Sequence, residues 1–230
     1  MTRAVFVFKK YQPFGLFLSE MRDLKQSRAV QTRKKILLEA AQLFALKGFH
    51  DAKVSELIKR AEVTSGAFFH HFKGKEDLAF AVIDHHMEQR RQTLDRIEQE
   101  LPGLDGGDPL ELAFRRLDAT GEMVVRRRNR KGGCLIGNLA TAMSDTHPVF
   151  RKRLGECFDE MATEFETHLL EAAADRDLNV DCRGISRYIV SAIEGAIMLS
   201  RTQRNIGLFQ QQVQRLKEDI RRSFQSEVSR

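Results

Sequence analysis

Apolar residues recur at three- and four-residue spacing along almost the whole chain, and the alternation that marks strands is nearly absent, with no Asn-Gly or Asp-Gly hairpin. A first helix is predicted from about Arg28 to Lys47, where Ile36, Ala40, Leu43 and Phe44 form one stripe that Leu37 and Ala41 widen, and Gly48 supplies its stop. A second helix, about Val54 to Arg60, turns Val54, Leu57 and Ile58 inward. Glu62-Val63 makes a tight turn, and Thr64 or Ser65 caps a short third helix through about His71. A fourth runs from Lys75 to about Glu100, with Glu76 and Asp77 in its first turn, where the helix dipole favours them. After the Pro- and Gly-rich linker at 101–108, Pro109 opens a fifth helix to about Arg128. Others follow at about 134–143, 148–174 and 182–204, with a last one after Gly207. This is an all-α chain. Residues 1–26 are apolar in places but poorly periodic, and read as an accessory or disordered arm.

Charge sharpens the division. The net charge is +6. Between Arg22 and Lys75, however, twelve Lys and Arg stand against five Asp and Glu, while 76–230 is slightly acidic, with 23 against 26. A short basic segment on a near-neutral body suggests a polyanion-binding module. Three scattered cysteines, Cys134, Cys157 and Cys182, argue against a disulfide framework and for a reducing compartment. No apolar run approaches the ~20 residues needed to cross a bilayer, and the start does not read as a secretory signal. The expectation is a cytoplasmic protein with no membrane partner.

Two short helices across a tight turn, inside the basic segment, make a candidate helix-turn-helix. The third helix presents Thr64, Ser65, Gly66 and His70 outward while Ala67, Phe68 and Phe72 pack. Small residues at the N-terminal end of such a helix let backbone approach base edges. Lys75, with the free N–H groups of the fourth helix's first turn, suits a phosphate. On the residues alone, the alternative is a plain three-helix unit with a solvated basic face. Nothing points to an enzyme or a cofactor: there is no nucleophile–His–acid set, no glycine-rich phosphate loop and no zinc-type spacing. The adjacent pairs His70-His71 and His85-His86 splay ~100° apart on a helix and do not chelate alone, so no metal site is expected.

The stretch Thr32-Arg33-Lys34-Lys35-Ile36-Leu37-Leu38-Glu39-Ala40-Ala41-Gln42-Leu43-Phe44, with Lys47-Gly48-Phe49 and then Val54 through Leu78, resembles the DNA-binding domain of the TetR/AcrR family of bacterial repressors. The resemblance covers about 28–80. It implies a helix-turn-helix domain over 27–75 and, over 76–230, a helical domain that binds a small ligand and dimerises. It implies that Thr64, Ser65, Gly66 and His70 face DNA, that Lys75 holds a phosphate, and that Thr32 or Arg33 touches backbone at the start of the first helix. There are two departures. The family usually has Tyr where this chain has Phe69, which removes a phosphate-contacting hydroxyl, and often has Lys at Ser65, which removes a cation.

In the second domain, Gly133-Cys134-Leu135-Ile136-Gly137-Asn138-Leu139-Ala140, followed by Ser144-Asp145-Thr146-His147-Pro148, resembles a subgroup of these repressors. Some of that subgroup sense electrophiles through a cysteine at the Cys134 position. The residues offer their own argument. Cys134 follows the cationic run Arg126–Lys131 and starts a predicted helix, and both favour a thiolate. Its alternative is a small buried residue in a core or pocket wall. Cys157 falls on the stripe of Phe150, Leu154 and Met161, as packing. Met161 and Phe165 are nominated to line an apolar ligand cavity, with Asn138, Tyr188 and Glu194 as its polar groups. Ala192, Gly195 and Ala196 allow the last two helices a close approach in a two-fold four-helix interface.

Together these readings predict a homodimeric repressor. Two recognition helices ~34–36 Å apart would enter successive major grooves of a palindromic double-stranded operator. A small-molecule or electrophile effector, acting as a ligand or by modifying Cys134, would release it by moving the helix at 75–100.

Overall fold

The computed structural model describes residues 14–101, 107–126 and 133–225, with 14–26 described by backbone alone. Among these residues every regular element is a helix. In chain order they are α1 (Phe14–Asp51), α2 (Val54–Arg60), α3 (Ser65–His71), α4 (Lys75–Glu100), α5 (Pro109–Arg126), α6 (Leu135–Met143), α7 (Pro148–Asp175), α8 (Cys182–Thr202) and α9 (Ile206–Ser223).

The helix bounds follow the apolar periodicity with one large exception. Helix α1 starts at Phe14, well before the expected Arg28, so residues 14–26 of the predicted arm are helical backbone. The residues before Phe14 lie outside the described ones, as do 127 and 128 at the expected end of α5. The start was obscured because apolar residues there do not form one stripe, whereas a helix needs only continuous backbone bonding. The weak amphipathicity upstream leaves no signal for a pattern reader.

The predicted stop is real. Gly48 sits at φ 76°, ψ 174°, a left-handed conformation that a side chain would strain. Beyond it Phe49 swings inward and is buried. Its ring lies 5.7 Å from those of Phe44 and Phe150. The α2–α3 turn carries Glu62 at φ 51°, another left-handed residue. Thr64 then caps α3, its Oγ1 accepting from the Ala67 amide at 3.1 Å. Phe68 and Phe72, one turn apart, anchor α3 to α1 through buried rings.

Two large cores hold the chain. One runs from Ile36, Leu43 and Phe44 of α1, through Leu57, Phe68 and Val82, to Ile136 of α6 and Leu154 of α7. The other joins Phe114 of α5, Phe165 of α7, Ile189 of α8 and Phe209 of α9. The first core does not end at the predicted domain edge near residue 75: α6 packs on α1, and α7 belongs to both cores. The strong capping signal at 144–147 is realised differently from expectation. Pro148 occupies the first turn of α7, but its N-cap, His147, makes no side-chain capping bond. Asp181 and Asn205 cap α8 and α9 through the Gly184 and Gly207 amides.

The expectation that Lys75 holds a phosphate is corrected here. Its ammonium donates to three main-chain carbonyls just past the α1 break: Phe49 at 2.9 Å, His50 at 3.1 Å and Ala52 at 3.1 Å. It also stands 4.5 Å from the Phe49 ring centroid. All three ammonium protons are spent, so the side chain is a clamp joining α4 to the end of α1. The first-turn amides of α4 remain as backbone. In that same first turn, Asp77 accepts from the Lys73 amide at 2.8 Å.

Replacing Lys75 by Met leaves three carbonyls without their donor. Hydrogen bonds to a charged group carry about 1.5–3 kcal/mol, so Lys75→Met is expected to lower unfolding free energy by about 2 kcal/mol in urea titration. An unchanged midpoint would show that the clamp carries no stability.

Candidate functional site

The outward face of α3 is set by helical spacing. Ser65 and Phe69 stand four apart, as do Gly66 and His70, so these four form two adjoining rows beside the row that buries Phe68. All four are exposed, as is the cap Thr64. Thr64, Ser65, Gly66 and His70 thus lie together on one surface, as the sequence suggested. Phe69 joins them, its ring edge-on to buried Phe68 at 5.2 Å.

The face is sparing in hydrogen-bonding groups. The Thr64 hydroxyl is committed to its cap, and Gly66 has no side chain. A Cβ added at Gly66 would meet only Thr64 Oγ1, at 4.0 Å. The fold itself therefore leaves room for a side chain there. Beside His70, at 5.1 Å, lies the His71 ring. Burial, then the neighbouring His70 and Arg33, push the His71 pKa below its ordinary value, so it stays uncharged at neutral pH.

Some of the basic charge is consumed inside the domain. Lys35 pairs with Glu62 at 2.6 Å, Lys47 with Glu56 at 2.8 Å and Arg60 with Glu39 at 3.1 Å, all between α1 and α2 or its turn. Arg33, Lys34 and Lys73 are exposed and make no ion pair among the described residues. The Arg33 guanidinium carbon lies 5.3 Å from the Phe72 ring centroid, which ties this cation to the C-terminal end of α3. Thr32 and Arg33 fall inside α1 and not at its start, so no helix-end amides accompany them. Thr32 is half-buried.

The six residues nominated for a ligand site are not brought together. Met161 belongs to the first core and Phe165 to the second, both buried by neighbours. Tyr188 is exposed on α8, its hydroxyl donating to Asp219 of α9 at 3.3 Å. Asn138 faces the DNA-binding half, where its amide donates to the Ala45 carbonyl of α1 at 3.3 Å. Two cavities are open to solvent. One, of about 610 Å³, is lined by Arg91, Glu156, Asp159, Glu160, Thr163 and Glu164, and the other, of about 410 Å³, lies along α9. Neither includes a nominated residue.

Cys134 and Glu194 do meet. Glu194 reaches from α8 onto the first turn of α6, where a Cβ at Gly137 would fall 2.5 Å from its carboxylate. That proximity explains the bare backbone in the Gly-Cys-Leu-Ile-Gly stretch. The Cys134 sulfur caps α6, accepting from the Gly137 amide at 3.5 Å, and the thiol is hydrogen-bonded to Glu194. The expectation of a thiolate is corrected. Burial first, and then the Glu194 charge, push the Cys134 thiol up to about 12, and burial also raises Glu194. Of the cations meant to lower it, Arg126 pairs with Glu100 and Glu122, and the rest of the run lies outside the described residues.

Sequence reasoning missed the buried charges beside this pair. Arg90 and Arg116 are both buried and both hold Glu164, at 2.6 and 3.3 Å, and Arg116 also pairs with Asp95 and Glu98. A signal existed: Arg90 interrupts the stripe Met87, Leu94, Ile97 of α4, and Arg116 stands between Ala113 and Thr120 on the buried face of α5. An arginine on an inward stripe needs a buried acid. Among the described residues no group of three or more His, Cys, Asp or Glu could hold a metal ion, and no helix is long and apolar enough to cross a membrane.

The cysteines yield a kinetic and a pH expectation. With Cys134 at about 12, Cys157 at about 11 and Cys182 also raised, the folded protein keeps its thiols protonated at pH 7. Disulfide-reagent titration should be slow in native buffer and fast in denaturant. Because the folded thiols hold their protons longer than unfolded ones, at ~8.5, stability is full below that pH. It should fall as pH rises from there toward 11–12. A rapid native reaction of Cys134 would contradict the half-buried, protonated thiol.

Comparison with known proteins matches this architecture at both ends. The family model described as bacterial regulatory proteins, tetR family, matches residues 36–82, and the one described as tetracyclin repressor-like, C-terminal domain, matches 113–225. The HTH-type transcriptional repressor DhaR of a Mycobacterium species is 24% identical over 75% of this chain and 84% of its own. The A-factor receptor protein of Streptomyces griseus is 40% identical over 40% of this chain and 33% of its own. A crystal structure of a TetR transcriptional regulator from Chloroflexus aurantiacus superposes with TM-score 0.74 at 26% identity, covering 84% of this chain and 96% of that one. Escherichia coli NemR in its reduced form shares the fold, with TM-score 0.68 at 21% identity over 82% and 96%. With α2 and α3 forming the helix-turn-helix and α5–α9 the C-terminal domain, the chain belongs to the tetR family of DNA-binding transcriptional regulators.

Proposed function

We propose that the protein is a homodimeric repressor that grips a palindromic operator with α3 in the major groove and is released by a small ligand. The observation that carries the DNA contact is Gly66. Its exposed position has room for a Cβ in the folded chain, so what needs the space must come from outside. A nucleic acid backbone or base edge approaching α3 meets that need. Ser65 and His70 flank the bare turn, while Arg33, Lys34 and Lys73 supply the charge that draws phosphates. Thr32 sits beside them on α1. Lys75 contributes through its clamp and the first-turn amides of α4. DhaR is named as a repressor, and that sense of regulation is carried over here.

The dimer surface is the outer face of α8. Tyr188, Met198 and Leu199 are exposed apolar side chains on it, at 48%, 65% and 40%, and exposed Gly195 lies between them with nothing near its missing side chain. Ala196 turns inward to the core instead, which narrows the expected small-residue seam to Gly195. Release acts through two helices. Helix α4 joins the halves as the sequence suggested, and α6 adds a second joint, with Asn138 on Ala45 and His50 within 3.2 Å of the Ala142 carbonyl. A ligand that binds one arrangement more tightly shifts the population toward the wrong helix spacing. The protonated, half-buried state of Cys134 favours ligand binding over thiol modification as the trigger.

Selecting bound sequences from random DNA with the full chain should return an inverted repeat, with affinity falling steeply as salt rises. Gly66→Ala should keep or slightly raise thermal stability, since Ala is the better helix former, yet lose at least tenfold in operator affinity. Equal binding by Gly66→Ala would remove the main support for the reading. Met198→Glu should convert a dimer into a monomer in sedimentation and abolish binding to the full palindrome.

A further inference from the structure

We propose that Phe69 is a specificity-determining residue that reads a thymine through its C5-methyl group, once in each half-site. The inference rests on the DNA-binding reading above and adds the chemistry of one base position to it. Phe69 is 58% exposed, although the rest of the α3 anchor, Phe68 and Phe72, is almost wholly buried. Exposing a large ring to water is unfavourable in the free protein and is recovered only when something apolar covers it. The ring is held in place by its edge-to-face contact with Phe68, so it meets a partner in one orientation.

What covers it follows from its neighbours. Phe69 shares the reading face with Ser65, Gly66 and His70, one turn past the bare Gly66, in a domain that also exposes the cations Arg33, Lys34 and Lys73. The hydroxyl by which the family's Tyr meets a phosphate is missing from Phe69, and a phenyl ring neither donates nor accepts a conventional hydrogen bond, so it gains nothing from a phosphate oxygen or from the polar edges of guanine, cytosine or adenine. The one apolar group on the major-groove floor is the thymine methyl. The inventory of the face makes this contact weigh more. With Gly66 bare and the Thr64 oxygen already accepting its cap bond, the face has little left to hydrogen-bond bases: Ser65, His70 and the Thr64 O–H proton.

The test uses the full-length wild-type protein and the operator returned by selection. Each thymine is replaced singly by deoxyuridine, which removes only the methyl. At one symmetric position the loss should be roughly fourfold per half-site, the value of one buried methyl-sized group. Phe69→Ala should bind the parent operator more weakly and lose sensitivity to deoxyuridine at that position alone. Phe69→Tyr, which keeps the ring, should retain it. A flat deoxyuridine scan with wild-type protein, or an unchanged scan in Phe69→Ala, overturns the inference while leaving sequence-specific binding intact. Failure to select any sequence overturns the DNA-binding reading itself, and this inference with it.

Discussion

The position of the reading head depends on one corner, where α1 ends. Gly48 breaks the helix, Phe49 folds back under it, and the Lys75 ammonium closes over three carbonyls that the break leaves exposed. That closure adds a polar tie to the apolar packing of α4 on α1, against which the short helices α2 and α3 gain their stability. Phe49 also lies 5.6 Å from the His50 ring and 6.0 Å from that of His147. Phe150 is stacked on Phe80 at 4.1 Å. One aromatic cluster therefore joins α1, α4 and the start of α7, and orientation is set by ring packing as well as by charge.

The buried charges of the body obey a different rule. Arg90 and Arg116 are withdrawn from water and Glu164 is half-buried, and withdrawing an ion costs several kcal/mol unless it is paired. Here they are paired: the two guanidiniums hold one carboxylate from opposite helices, and Arg116 extends the network to Asp95 and Glu98 at the surface. Such a network adds little net stability over an apolar core, but it penalises any packing in which α4, α5 and α7 slide past one another. Glu194 lies within electrostatic reach of Arg90 while hydrogen-bonding Cys134. The thiol and the arginine pair are thus parts of one polar interior.

Local signals were legible in the sequence. Gly48, the Thr64 cap, Pro109 and Pro148 each act through the geometry of one or two residues, and each stands where pattern placed it. The reading face was legible because helical spacing alone decides which side chains point away from Phe68 and Phe72. Contacts between distant segments were not legible. Lys75 looks like a phosphate ligand until Phe49, His50 and Ala52 arrive beneath it. The charge run near Cys134 looks activating until Glu194, sixty residues on, supplies the opposite sign. Asn138 and Tyr188 were assigned to a pocket from polarity and period. Only the packing of α6 on α1, and of α8 on α9, reveals that they bridge helices instead.

The bonds that α4 and α6 make to the end of α1 through Lys75, Asn138 and His50 share a property: their acceptors are main-chain carbonyls. Lys75 binds those of Phe49, His50 and Ala52, Asn138 binds that of Ala45, and His50 approaches that of Ala142. A carbonyl oxygen is the same whatever residue bears it. The bonds themselves therefore do not depend on which side chain stands at 45, 52 or 142, although Ala52 is wholly buried and Ala45 and Ala142 pack on the first core, so that only small residues fit there. Descendants of this chain keep these bonds through any substitution that the packing there tolerates, so long as Lys75, Asn138 and His50 keep their grip.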